Sequence, residues 1–313
     1  MKILKANHND ANLRIDKFVR KVLPNAKLSE IYKLLRTKKI KVNQHKVNPT
    51  YRINLNDEIV FYLDENHFTK QLKPKTNAID FKVVYEDNNL LIVFKPYGLV
   101  VHTDESGTTN TLINQVTNYL IDKNEFNPHE QNSFTPTLIN RIDLNTAGLV
   151  IIAKNRMSSI ILNEKMKTHE IRKFYLTKVY GIIDPKKATI SAYLTRFNDK
   201  KNVLITPKII SKDSKQIITK YELKKHDHQT SLIEIELLTG RTHQIRAHMQ
   251  YLGHPLVGEQ KYSSAKFKKL SNYKHQRLIA YKIIFQFKSS ANELEYLNNK
   301  EIKLSEQEVN KYL

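Results

Sequence analysis

The chain contains no cysteine. That removes disulfides, thiolate nucleophiles, thiolate-bound zinc and iron–sulfur clusters from consideration. Glycine is scarce, with seven in 313 residues. No G-x-G-x-x-G or G-x-x-x-x-G-K-[ST] segment exists, so dinucleotide and P-loop readings fail. The H-E-x-x-H metalloprotease pair and the G-x-S-x-G nucleophile elbow are missing too. His243 and His248 lie five apart in THQIRAH, a helical spacing that does not bring both rings to one metal. No run of about 18 apolar residues occurs, so no membrane span is expected. The opening MKILKANHND lacks the apolar stretch of a signal peptide. A cytoplasmic protein that works without metal or cofactor, through carboxylates, bases and positioning, is the expectation.

What the chain has in excess is positive charge. It carries 52 Lys+Arg against 31 Asp+Glu, a formal net charge of +21 and a pI near 9.7. Neutralising phosphates with lysine and arginine releases counterions and gives sequence-independent affinity, so a polyanion is the natural partner. The alternative is a solubility surface in a Lys-rich proteome. Where the charge sits separates the two. Residues 1–60 hold 14 Lys+Arg against 5 Asp+Glu, a net +9 in under a fifth of the chain. Such concentration favours nucleic acid.

That first stretch, residues 1–65, reads as a small α+β unit. In LRIDKFVRKVL, Ile15, Phe18, Val19 and Val22 recur at helical spacing, and Pro24 breaks the pattern. Ser29 is a candidate N-cap for a second helix with Ile31, Leu34 and Leu35 inside. KIKVNQHKVN reads as a hairpin, and NDEIVFY as a closing strand. Residues 66–78 have no periodicity and read as a linker. A larger unit over 79–288 mixes strand-like runs (FKVVYED, LLIVFK, GLVIIAK, KFYLTKVYGII, SLIEIELL) with helix-like ones (TLINQVTNYLI, SSIILNEKMK, THQIRAHMQYL). Strand–helix alternation with glycine-rich turns is absent, which argues against a doubly wound fold. Residues 289–313 read as a polar, weakly helical tail.

Three segments carry the chemical signal. KPYGLVVH, from Lys95 to His102, places a tight turn after an apolar strand. NRIDLNTAGLVIIAKN sets Arg141 and Asp143 ahead of Thr146 and Gly148 and a fully apolar strand. LLTGRTHQIRAHMQYLGHPLVGEQKY runs from a strand through Arg241 into a helix bearing Arg246. Taken alone, Asp143 three residues before a threonine is better explained by turn capping than by catalysis.

Together the three segments resemble the RluA/RluD-type pseudouridine synthase family, with its K-P-x-G-x-x-x-H, H-R-L-D-x-x-T-S-G and G-R-T-H-Q-[IL]-R-x-H motifs. The first unit resembles the alpha-L RNA-binding motif that often precedes this catalytic domain. The likeness spans about residues 11–285. This chain departs at Asn140 for the usual His, Ile142 for Leu, Asn145 for Asp and Ala147 for Ser.

The resemblance implies an α+β fold: a mixed, largely antiparallel sheet with flanking helices and a central cleft, preceded by the alpha-L-type domain. It implies that uridines in structured RNA are isomerised by breaking C1′–N1 and forming C1′–C5, with no cofactor. Ribosomal RNA is the expected partner, transfer RNA the alternative, and a monomer the expected state. Asp143 would attack C1′ or remove the C2′ proton, and the sequence does not choose. Arg246 would hold that carboxylate by paired hydrogen bonds, with Arg241 as a rival. Tyr175 would receive the base once it leaves its stack. Arg141, Thr146, Lys173, Lys95 and His102 are expected toward substrate, and Lys33, Arg36, Lys39, Lys41 and Asn43 along an RNA-facing edge of the first unit.

Overall fold

A computed structural model describes residues 1–68, 79–103, 107–196 and 203–313. Most of the expected linker, residues 69–78, lies outside the described residues. The chain divides into two compact units.

The N-terminal unit begins with β1 (Lys2–Lys5), α1 (Ile15–Val22), α2 (Leu28–Arg36), β2 (Ile40–Val42) and β3 (Glu58–Phe61). Both helices turn their apolar positions inward: Ile15, Phe18, Val19, Ile31 and Leu35 are buried with Ile40, Ile59 and Phe61 in one core. The three strands form a sheet in the order β1-β3-β2. Two local expectations need correcting. KIKVNQHKVN is not a hairpin: Asn43 and Gln44 make a tight turn with positive φ, but only a single bridge, Val42 to His45, follows. The stretch after His45 runs into Pro49, which has no amide to donate, and β2 pairs with β3 instead. Ser29 is not the N-cap of α2, since Lys27 holds that position without a side-chain bond.

This unit also takes in residues 114–137 and 154–157, so the boundary expected near residue 79 is not the only crossing point. The reason lies in polar side chains. Asp10, fully buried, accepts hydrogen bonds from Ser133 Oγ, from Asn132 Nδ2 at 2.7 Å and from the Asn7 amide at 3.0 Å. Lys21 Nζ donates to the Ser133 carbonyl at 2.8 Å.

The second unit is built on β4 (Lys82–Glu86), β5 (Leu90–Lys95), the start of α3 (Leu112–Asp122), β6 (Thr137–Leu138), β7 (Ala147–Ala153), α4 (Arg156–Lys167), β8 (Ile171–Tyr180), β9 (Lys187–Arg196), β10 (Val203–Thr206), β11 (Lys215–His226), β12 (Thr230–Leu237), α5 (Gln244–Tyr251), α6 (Ala265–Lys269), β13 (Leu278–Phe285), β14 (Glu301–Lys303) and α7 (Glu306–Asn310). One 11-stranded sheet runs β10-β9-β11-β12-β8-β13-β7-β5-β4, with β14 on β13 and β6 on β7. Every pairing with a defined register in it is antiparallel except β13 with β7. The mixed, largely antiparallel α+β architecture therefore stands. β7, buried at all seven positions, lies between β5 and β13, as an unbroken apolar run predicts. Gly148 is required there: a Cβ would lie 2.2 Å from the Ala280 carbonyl oxygen.

The expected polar tail is structure. Ala291, Leu294, Leu297, Ile302, Leu304, Val309 and Leu313 all join the main core. β14 adds to β13, and Ser305 with Glu308 caps α7 through a capping box. The polar majority of those residues masks a sparse set of inward apolar ones.

Candidate active site

Asp143 sits in the loop between β6 and β7. The Thr146 amide donates to the Asp143 carbonyl at 3.0 Å, closing a tight turn. The next carbonyl, that of Leu144, receives two donors: the Gly98 amide at 3.0 Å and Lys95 Nζ at 3.0 Å. Lys95 also donates to the carbonyls of Pro96 at 2.8 Å and Leu99 at 2.9 Å. The KPYGL turn thus curls around its own ammonium, with Gly98 at φ +80, and fastens the loop that carries Asp143. Lys95 is 0% exposed, so the expected substrate contact is corrected to a structural one. Burial pulls its ammonium down to about 7, with the Asp143 charge opposing.

Arg246 comes from α5 on the other side. Its Nη1 donates to Asp143 Oδ2 at 3.2 Å. The other two donors grip Glu259: Nε to Oε2 at 2.7 Å and Nη2 to Oε1 at 2.8 Å. Glu259 Oε1 also accepts from the Lys261 and Tyr262 amides at 2.7 and 3.2 Å. The paired grip expected for Asp143 therefore falls on Glu259, and Asp143 receives a single bond. Burial works against the Arg246 charge, but the two carboxylates outweigh it and raise its pKa. Burial likewise pushes the Glu259 carboxyl up, and Arg246 with the two amides reverses this, holding it below the usual range.

His243 opens α5 in a left-handed conformation. Its Nδ1 lies 2.7 Å from the Tyr262 hydroxyl and its Nε2 3.9 Å from Asp143 Oδ2. Burial lowers its pKa and Asp143 raises it, with burial winning, so the ring is neutral near pH 7. Burial pushes the Tyr262 phenol up to about 12, and the Arg246 guanidinium lies over its ring at 5.4 Å. Gln244 fixes the loop before the helix, taking the Arg241 amide at 3.0 Å and Thr239 Oγ1 at 2.9 Å, and donating to Thr219 Oγ1 at 3.1 Å.

Tyr175 lies in β8, opposite Ala280 of β13 and Ile235 of β12. It is 6% exposed, and burial, reinforced by the charge of Asp143, raises its phenol pKa. Its hydroxyl therefore stays protonated in the working range. Arg141 and Arg241 are exposed. His102 is exposed, with Nδ1 3.2 Å from the Thr103 carbonyl of its own loop.

Three further expectations change. Thr146 is buried, its hydroxyl accepting from Gln276 Nε2 at 3.3 Å, and supports the loop instead of facing RNA. Lys173 is half-buried with Nζ beside the Met166 sulfur at 3.0 Å. Asn140, where the family has His, is buried beside β7: it donates to the Leu149 carbonyl at 3.2 Å and accepts from the Ile151 amide at 2.7 Å. Both bonds run to the backbone of β7. In the N-terminal unit, Lys33, Arg36 and Lys39 are exposed and Lys41 half-exposed over Tyr62, but the Asn43 amide is committed to Asp57 and the Glu58 amide. Glu259 and the His243–Tyr262 pair went unrecognised in the sequence, although the string GHPLVGEQKY contains Glu259 and Tyr262. A carboxylate beside exposed lysines gives no local sign that its partner lies 13 residues upstream.

The sequence matches two family profiles: RNA pseudouridylate synthase over residues 89–251, and the S4 domain over residues 13–59. A Mycoplasma capricolum relative described as an RNA pseudouridine synthase is 33% identical over 299 residues, covering 95% of each chain. The ribosomal large subunit pseudouridine synthase C of Buchnera aphidicola from Schizaphis graminum is 30% identical, over 83% of this chain and 80% of that one. Among solved structures, human RNA pseudouridylate synthase domain containing 1 shares the fold at TM-score 0.55 and 19% identity, over 76% of this chain and 96% of that one. No helix among the described residues is long and apolar enough to cross a membrane.

Proposed function

Because the chain belongs to the RNA pseudouridylate synthase family, we propose that it isomerises uridines of ribosomal RNA with Asp143 as the catalytic carboxylate. The observation that carries this is the row Glu259–Arg246–Asp143. It restrains one oxygen of Asp143, Oδ2. The other, Oδ1, has no hydrogen bond among the described residues, and the side chain is 21% exposed. A restrained carboxylate with one open oxygen suits either attack on C1′ or removal of the C2′ proton. Breaking C1′–N1, turning the uracil and joining C1′ to C5 conserves every atom and needs no oxidant or cofactor.

Tyr175, kept neutral by burial, forms the aromatic wall against the uracil, where stacking offsets about 1–3 kcal/mol of the cost of unstacking the uridine. Arg141 and Arg241, both exposed, reach the RNA around the target nucleotide. The S4 domain, with Lys33, Arg36 and Lys39 on its surface, supplies affinity for structured RNA. Ribosomal RNA is favoured over transfer RNA because relatives are named as synthases of the ribosomal large subunit. The enzyme acts in the cytoplasm as a monomer on this reading.

Incubation with unmodified ribosomal RNA, followed by carbodiimide-blocked primer extension, tests it. Wild type should add stops at discrete uridines with RNA mass unchanged, and Asp143→Asn should add none. Identical maps for the two would remove Asp143 from the chemistry, and loss of uracil from the RNA would make the enzyme a hydrolase.

A further inference from the structure

The chain carries about one acidic residue in ten overall, yet residues 260–292 contain none while holding eight Lys+Arg. The first half of this window forms a loop closed at its base against the active site. Gly258 backs onto the other end of the loop: a Cβ there would lie 2.2 Å from the His275 carbonyl oxygen. The Arg277 amide donates to the Val257 carbonyl at 2.8 Å. Just inside that closure, each end holds a residue next to Asp143. On the outgoing side Glu259 grips Arg246. On the returning side Gln276 donates to Thr146 at 3.3 Å, and the Tyr97 hydroxyl donates to the Gln276 carbonyl at 3.2 Å.

A loop pinned in this way has to leave from the rim of the site. What it displays is one-signed. Lys266, Lys268, Lys269 and Lys274 are all exposed, and among the described residues none of them pairs with a carboxylate. Leu270 is 61% and Tyr273 46% exposed between them, and the Arg277 guanidinium covers one face of the Tyr273 ring at 4.3 Å. A merely soluble surface mixes signs and has no use for an exposed aromatic held in place by an arginine. Unpaired lysines interleaved with an aromatic are what a nucleic-acid backbone and a stacked base call for.

We propose that the loop over residues 260–275 is a second RNA-docking surface, in the catalytic unit itself, which takes the phosphates flanking the target uridine on Lys266, Lys268, Lys269 and Lys274, with Tyr273 stacking on a base or ribose. This rests on the RNA-modifying reading of Asp143 and adds where the flanking strand lies. Because the loop is fastened to Arg246 and Thr146, docking there holds the RNA in a fixed relation to Asp143, independently of the S4 domain.

The test uses the full chain and a ribosomal RNA fragment that contains a modified uridine with its flanking sequence. Lys266→Gln, Lys268→Gln, Lys269→Gln and Lys274→Gln are combined in one variant. A control variant carries the same charge loss at Lys167, Lys186, Lys212 and Lys303, also exposed. Each lost phosphate contact removes ~0.7–0.9 from the slope of log K against log salt, so the loop variant should lose roughly 3. Its Kd should rise at least ~10-fold at moderate salt, with kcat/KM falling by a similar factor carried by KM. The control should change the slope by less than about one. Equal loss in both variants would reduce the loop to bulk charge and overturn the proposal, as would wild-type affinity in the loop variant. If wild type forms no pseudouridine at all, the reaction reading has failed; if it does and the two variants match, only the loop has.

Discussion

Glu259 and Asp143 share one guanidinium, and Glu259 holds the larger part of it. Two of the three Arg246 nitrogens are bonded to Glu259 and the third reaches Asp143 at 3.2 Å. A free arginine side chain has several rotatable bonds and could settle in many orientations. Clamped by a buried carboxylate that is itself fixed by two backbone amides, it presents Nη1 in one direction only. With Asp143 as the proposed catalytic carboxylate, Glu259 is a positioning residue, two steps removed from substrate.

Glu259→Gln should lower kcat by roughly 10–100-fold, about 1.4–2.8 kcal/mol, while changing KM for RNA little. Breaking a buried pair by removing one partner also costs about 3–5 kcal/mol of stability, so the melting temperature should fall. Asp143→Asn should do the reverse, with activity lost and the melt close to wild type, since Asp143 is partly exposed and holds Arg246 by one bond. Paired measurements of kcat, KM and Tm on the two variants check this. A Glu259→Gln enzyme with wild-type kcat would mean that Arg246 needs no clamp.

Lys95 poses a cleaner choice. An RNA contact and a loop fastener fail in different kinetic parameters. Lys95→Met keeps the length and the apolar stem but removes the ammonium from the Pro96 and Leu99 carbonyls and leaves Leu144 with the Gly98 amide alone, a loss of about 1–3 kcal/mol for each group left unsatisfied. Because Leu144 follows Asp143 directly, kcat should fall by about tenfold or more while KM for RNA stays within a small factor. A rise in KM at constant kcat would restore the contact with RNA.

The contrast shows what a sequence reveals and what it hides. β7 was legible because AGLVIIA is apolar at every position, and helices α3, α4 and α5 because their periodicity is local. The small α+β unit followed from the helical spacing of its apolar residues, and the Asp143–Arg246 pair from motif order. Strands β9 and β11 went unread: KATISAYLTR and KQIITKYELKKH are rich in charged and hydroxyl side chains, and two of the hydroxyls, Thr195 and Thr219, are themselves buried, so few apolar residues (Ala192, Leu194, Ile217 and Tyr221) mark the inward face. The C-terminal segment was misread for a related reason, since Leu294, Leu297 and Ile302 are few among polar neighbours and gain meaning only against β13. Lys95 and Thr146 were misplaced because a polar residue in a functional motif reads as facing substrate. Nothing local says that three carbonyls await that ammonium.

The helix that presents Arg246 also carries a buried histidine. His248, two residues further along α5, is fully buried, with Nδ1 2.9 Å from Thr219 Oγ1 and Nε2 without a hydrogen-bond partner among the described residues. Burial pulls its pKa down to about 4 from an ordinary 6.5. The native state refuses a proton until the pH nears 4, whereas the unfolded chain accepts one near 6.5. Between those values the unfolded state holds more protons, so stability falls with falling pH. The stabilisation is complete above about pH 6.5 and is lost progressively toward pH 4, amounting to about 3 kcal/mol across the window. Urea midpoints measured from pH 7 to pH 4 should drop steeply for wild type and less steeply for His248→Gln, which cannot take up a proton. The acid-induced loss should include activity, because α5 carries Arg246 on the same turns. Parallel curves for the two proteins would assign the acid limb to the carboxylates and leave His248 a silent part of the core.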